Sequence, residues 1–248
     1  MHTLRTRFAG DIVAEFVPPK DRRSNRVLIL CGGMPSYPSK PDLMFWLADR
    51  GYWPVMPRYR GTWESDGHFL KKSPHLDISD VIDSLDRGFR DLFSGDRYLI
   101  RRPQVHLIGS SFGGPAALMN GRDRRVRKVV ALSPVIDWRK DSEVEPWEWL
   151  EGFTRQAFGN GYRFSTADWK RLTKGQIYNP ATGMEKISPK KTLIFHAQDD
   201  LTVPFQPTAD FCKKTGCPLV SPLTGGHLSL SLVNEPKFWQ KIRGHLEG

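Results

Sequence analysis

Five short apolar runs, each bounded by turn residues, limit what this chain can fold into more than any other feature. Val27–Cys31 ends at Gly32-Gly33, and Tyr52–Met56, Val105–Ile108, Val129–Leu132 and Thr192–Phe195 have the same form. A continuous apolar run is what a parallel strand covered on both faces looks like. Ile12–Val17 alternates less cleanly and stops at Pro18-Pro19, which reads as an early antiparallel strand. Helical patterns fill the gaps over Asp42–Arg50, Leu76–Phe93, Ser111–Asn120 and Lys237–Leu246. In the second of these, Ile78, Val81, Ile82, Leu85 and Phe89 share one face. The alternation predicts an α/β protein with a mostly parallel central sheet flanked by helices and joined by right-handed crossovers. A length of 248 residues suits one such domain.

One stretch breaks the rhythm. From Val135 to Pro189 there is no strand signal, yet nine aromatic residues occur. An insertion of this kind between two strands reads as a short helical cap, residues 135–189, set into a core of residues 1–134 and 190–248. Most of the aromatics are expected to form the cap's own core, and a few to line a pocket.

Composition removes several classes. An apolar share of 39% together with 22 glycines excludes disorder as the main state. No apolar run approaches the ~18 residues of a transmembrane helix, and the first ten residues carry no apolar signal-peptide core. The expected location is cytoplasmic. Three cysteines are too few and too irregularly spaced for a disulfide framework or a zinc site. The net charge of +10 is placed more tellingly than it is large. Arg22-Arg23 and Arg26, Arg101-Arg102, the Arg122–Lys128 cluster, Lys190-Lys191 and Lys213-Lys214 each precede an expected strand. In a parallel sheet that puts them on one basic face capable of weak anion binding, remote from loops at the strands' other ends. No helix-turn-helix or base-stacking motif supports sequence-specific nucleic-acid binding.

Gly109-Ser110-Ser111-Phe112-Gly113 follows an expected strand and opens an expected helix. That context makes Gly-x-Ser-x-Gly a nucleophile elbow, in which Ser111 takes a strained backbone geometry and the glycines avoid clashes. A serine needs a base, itself oriented by an acid. The segment beyond Thr192–Phe195 supplies Asp199 and Asp200, and Gly225-Gly226-His227 follows the strand-like Pro218–Val220. His2, His68, His75, His106, His196 and His245 lack the placement of His227.

On these residues the chain resembles the α/β-hydrolases over residues 8–247, with likenesses to esterases and to prolyl-oligopeptidase-like catalytic domains. The order Ser111, Asp200, His227 is the one that family uses. Its Gly-x-x-Asp-x-x-Val-Pro pattern matches Ala197–Pro204 with alanine for glycine and selects Asp200; Asp199 is left as a loop-capping group, and Asp137 occupies an alternative acid position. The resemblance implies an oxyanion hole from the backbone N–H of Phe112 and of Met34, in a turn similar to His-Gly-x-Pro, here Gly32-Gly33-Met34-Pro35. A shifted alignment makes Gly33 the donor. Cys31 is then a buried strand-end residue. Arg58–Gly67 is similar to the family's Arg-Gly-x-Gly-x-Ser-x-Gly loop, with Trp63 at the middle glycine and Arg60 and Ser65 structural.

The activity implied is hydrolysis of carboxylic esters through a Ser-His-Asp triad and an acyl-enzyme, with no metal or organic cofactor. Amide or peptide hydrolysis, of aminopeptidase or dipeptidyl-peptidase type, is the alternative, and a non-catalytic binding protein on the same fold is the third. Asp141, Glu143, Glu145, Glu148 and Glu151 could grip a substrate amine, although a solvated acidic face explains them as well. The expected partner is a small acyl ester or a short peptide.

Overall fold

The computed structural model describes residues 2–248. Strands β1 (Leu4–Phe8), β2 (Ile12–Phe16), β3 (Arg26–Cys31) and β4 (Trp53–Pro57) come first, with helix α1 (Pro41–Ala48) between the last two. Helix α2 (His75–Ser84) and the short β5 (Phe89–Arg90) and β6 (Arg97–Tyr98) precede β7 (Gln104–Ser110), α3 (Gly113–Asn120) and β8 (Val126–Leu132). Helices α4 (Trp147–Phe158) and α5 (Thr166–Thr173) lie between β8 and β9 (Thr192–Phe195). Helix α6 (Phe205–Thr215), β10 (Leu219–Val220) and α7 (Pro236–Glu247) complete the chain.

Eight strands form one sheet in the order β1-β2-β4-β3-β7-β8-β9-β10, and β5 pairs only with β6. From β4 to β10 every neighbouring pair is parallel, while β1 and β2 are antiparallel additions. The apolar runs are continuous because both faces are covered. In β3, Val27, Ile29 and Cys31 enter a core shared with Ile78 and Val81 of α2 and Ala117 of α3. Leu28 and Leu30 point the other way, into a core with Leu43 and Leu47 of α1 and Ile242 of α7. Each such side chain taken from water contributes about 1.5–3 kcal/mol. Cys31, Cys212 and Cys217 are free and buried, and burial alone pushes the Cys31 thiol far up, as befits a strand-end core residue.

Two local expectations are corrected. The Leu76–Phe93 pattern is not one helix, because α2 stops at Ser84, a 3₁₀ turn spans Leu85–Arg87, and Gly88 turns the chain at φ +81°. Phe89 is buried as its periodicity suggests, but from β5, with its ring 5.2 Å from Phe8 and 5.1 Å from Phe16. Strand β1 and helix α6 have no counterpart among the expected elements.

The parallel order puts the loops after β3, β4, β7, β8, β9 and β10 at one edge of the sheet. At the opposite edge Arg23, Arg26 and Arg125 are already paired with Asp21, Glu247, and Asp83 and Asp123. No helix of the described residues is long and apolar enough to cross a membrane.

Candidate active site

Strand β7 delivers Ser111 at φ +52°, the left-handed region that costs a non-glycine residue on the order of 1–3 kcal/mol. Backbone bonds hold it there: Ser111 N–H donates to Leu132 O at 2.9 Å, and its carbonyl accepts Gly114 N–H at 3.0 Å. The flanking glycines are required by close approach. A Cβ on Gly109 would overlap the Gly113 carbonyl, one on Gly113 the carbonyls of Cys31 and Gly32, and one on Gly114 the ring of Pro134. The sharp strand-to-helix turn is thus written into the sequence as residues without side chains.

The turn after β3 lies against this elbow, since a Cβ on Gly33 would stand 3.3 Å from Ser111 Cβ. Three aromatic side chains from other segments pin it. Tyr59 donates its hydroxyl to Gly32 O at 3.3 Å. Trp63 donates its indole N–H to Ser36 O at 3.0 Å. Tyr162 both accepts Ser36 N–H and donates to Ser36 O, each at 3.0 Å. Among the described residues, the N–H groups of Gly33, Met34 and Phe112 have no protein acceptor. The Phe112 ring is buried among Tyr59, Phe69, Trp138 and Tyr178, which fixes the backbone beside the serine.

Asp200 and His227 meet on the loops after β9 and β10. His227 Nδ1–H donates to Asp200 at 2.9 Å to Oδ2 and 3.2 Å to Oδ1. The backbone N–H groups of Thr202 and Val203 also donate to Oδ1, both at 3.0 Å. Burial pushes this carboxyl up, but hydrogen bonds from His196, His227 and Ser133 and the His227 charge outweigh it and hold it well below the usual carboxylate range. The His227 side chain is 26% exposed and that of Asp200 is sealed. The Ser111 hydroxyl makes no hydrogen bond among the described residues. Contacts of that type are often long before substrate binds.

Asp199 accepts the N–H groups of Gly225 at 3.2 Å and Gly226 at 2.8 Å, shaping the loop that presents His227. Asp137 is bound to Arg139 and Asn179, away from any histidine. Arg60 is tied to Asp11, Asp77 and Asp80, and Ser65 to Val13 and Arg58, so both are structural. The acidic run is divided among other tasks: Asp141 caps Ser142 and Trp147, Glu151 pairs with Arg155, and Glu145 reaches Thr202.

Two residues were not anticipated. His196, which lacks the sequence placement of His227, lies fully buried with Nε2 3.2 Å from Asp200 Oδ2 and 3.0 Å from Val203 O. Both are acceptors, so Nε2 carries the proton, while Nδ1 meets the Thr208 hydroxyl at 2.8 Å. Its spacing of four residues from Asp200 was the only available signal. Ser133, at φ +41° just past β8, accepts Leu228 N–H at 3.1 Å, joining the end of β8 to the loop that carries His227. A cleft of about 720 Å³ beside Asp200 and Leu201 runs between the loop after β8 and α6, and neither Ser111 nor His227 lines it. No cluster of metal-ligating side chains occurs among the described residues.

The signature of the prolyl oligopeptidase family (Peptidase_S9) matches residues 39–216, more than half of the chain. The chain belongs to the prolyl oligopeptidase family. The matched region includes Ser111 and Asp200 and ends before His227. Among solved structures, an esterase of Pyrococcus furiosus, PF2001, is 14% identical at a TM-score of 0.69, over 99% of this chain and 89% of that one. The esterase EaEST of Exiguobacterium antarcticum is 18% identical at a TM-score of 0.63, over the whole of both chains. An acylaminoacyl peptidase of Pyrococcus horikoshii is 16% identical at a TM-score of 0.61, over 98% of this chain and 39% of that one. At such identities these likenesses establish the α/β-hydrolase fold alone. No curated protein matches the sequence. This prolyl oligopeptidase family member is thus an α/β-hydrolase superfamily protein of the serine hydrolase type.

Proposed function

We propose that the protein hydrolyses carboxylic esters, with Ser111 as nucleophile, His227 as base and Asp200 as the group that orients it. Ser111 Oγ attacks the carbonyl while His227 Nε2 takes its proton. Asp200, accepting Nδ1–H, fixes the tautomer that leaves Nε2 free and stabilises the imidazolium. The tetrahedral oxygen is received by the N–H of Phe112 and of Met34, with Gly33 as the alternative donor. The imidazolium protonates the departing alcohol. Water, deprotonated by His227, then attacks the acyl-enzyme, and collapse releases the acid and Ser111. Residues 135–189 serve as a cap tied to the oxyanion turn through Tyr162.

The observation that carries this reading is the 2.9 Å bond between His227 and a sealed Asp200, on loops at the same sheet edge as the strained Ser111. Amide hydrolysis is the second reading, favoured by the family match. A panel of p-nitrophenyl acyl esters and aminoacyl p-nitroanilides separates the two. Saturable ester turnover far above anilide turnover is expected. Faster anilide cleavage transfers the assignment to a peptidase, and no turnover by folded protein contradicts both.

His196 acts as a positioning residue for Asp200 in this scheme. His196→Asn keeps a polar group near Nδ1 but loses the donor to Asp200, and is expected to lower kcat about tenfold with KM unchanged. His196→Gln restores a donor near the Nε2 position and is expected to recover most of the rate. Equal loss in both variants would mean that His196 only packs.

A further inference from the structure

Building on the hydrolase reading above, we propose that the substrate carries a bulky uncharged apolar group, an aryl ring or a medium-length acyl chain, that lies along an aromatic wall between the oxyanion turn and α4. The wall starts three residues beyond Met34. Tyr37, 49% exposed, meets the edge of Trp63 at 4.8 Å and 86°. Trp63 meets Phe158 at 6.4 Å, and Phe158 meets Phe153 at 6.1 Å. Phe153 stacks on Trp149 at 5.0 Å with the planes 5° apart. Trp149 is 49% exposed and Phe153 39%, so the row ends in a flat platform open to solvent.

Three observations make this a surface for substrate. First, it is continuous with the reacting centre, because Trp63 holds Ser36 and the same turn abuts Ser111. Second, the chain accepts strain to place the central ring. Trp63 sits at φ +47°, a region a bulky side chain rarely occupies, and is held by its N–H to Gly161 O at 2.9 Å. Third, Leu223, 74% exposed, lies four residues before His227. The ring contacts make the row from Tyr37 to Trp149 one contiguous surface, and exposed apolar surface of this kind marks a binding site. On α4, Glu151 and Arg155 pair with each other at 2.9 Å, which leaves Glu148 as the helix's one charge without a salt-bridge partner among the described residues. The 720 Å³ cleft does not reach Ser111, so it offers no alternative seat for a group attached to the reacting carbonyl.

The test compares kcat/KM for p-nitrophenyl octanoate against acetate, and for 2-naphthyl acetate against phenyl acetate, all below their solubility limits. The first ratio reads an apolar acyl group and the second an apolar leaving group. At least one ratio is expected to reach about tenfold in the wild type and to fall about fivefold in Trp149→Ala and in Phe153→Ala. Phe93→Ala, at a side chain 72% exposed in the turn between β5 and β6, is expected to leave both ratios unchanged. Unmoved ratios in Trp149→Ala and Phe153→Ala overturn the inference. So does a wild-type dimer that either variant dissociates without moving a ratio, since the wall is then a contact between copies. Fluorophosphonate labelling of Ser111 is read alongside. Labelling with unmoved ratios defeats the aromatic wall alone, and no labelling defeats the hydrolase reading beneath it.

Discussion

Ser111→Ala is expected to fold like the wild type and to lose roughly three to six orders of magnitude in ester turnover. The fold should survive because the hydroxyl makes no hydrogen bond among the described residues, so removing it leaves no partner unsatisfied. The strained φ of +52° is equally awkward for serine and alanine, so the backbone cost cancels in the comparison. Activity should collapse because the hydroxyl presented by the turn after β7 is lost, and the one beside it belongs to a buried strand residue. Ser110 is the end residue of β7 and buried, its Oγ 3.9 Å from where a Gly33 Cβ would stand. Turnover measured with matched thermal unfolding checks this. A stable Ser111→Ala protein with wild-type turnover would remove Ser111 from the chemistry.

The largest effect on stability is expected from Gly113→Ala. Its Cβ would overlap the carbonyls of Cys31 and Gly32, and neither can retreat. Cys31 is the last residue of β3, fully buried and in register with Gly109 of β7, so moving it shifts the strand pair that carries Ser111. Overpacking in a core costs about 1–3 kcal/mol when side chains can adjust, and more when backbone must move. Against a total of about 5–15 kcal/mol, that is a large share of the margin. Gly152→Ala is the control. It lies within α4 with nothing within 4 Å of a new Cβ, and should stabilise by about 0.5–1 kcal/mol. Urea midpoints of the two variants should move in opposite directions. An unchanged midpoint for Gly113→Ala would mean that the elbow is looser than its contacts require.

Much of the fold is legible in the sequence for a physical reason. Strands covered on both faces must be apolar throughout, so β3, β4, β7, β8 and β9 announce themselves without reference to their partners. Strand β1 does not, because Arg5 and Arg7 point outward from an edge strand and leave little apolar signal. Phe89 misled because helical spacing places it correctly in the core while Gly88 has already ended the helix. The elbow glycines could be read because overlap with backbone tolerates nothing else. A carboxylate after β9 and His227 after β10 could be expected from their places after strands, while the choice of Asp200 over Asp199 rests on the family pattern. His196 and Ser133 could not. Their roles exist only once the loops after β8, β9 and β10 close over one carboxylate, a contact that local spacing does not encode. Tyr162 is likewise remote in sequence from the turn it pins, and its aromatic character says only that it is buried.

The most direct test is labelling with a fluorophosphonate, read by intact mass on the wild type, Ser111→Ala and His227→Ala. One adduct on the wild type, absent in Ser111→Ala and formed far more slowly in His227→Ala, is the predicted result. An unlabelled, well-folded wild type, or an adduct that persists in Ser111→Ala, would contradict an activated serine at the end of β7.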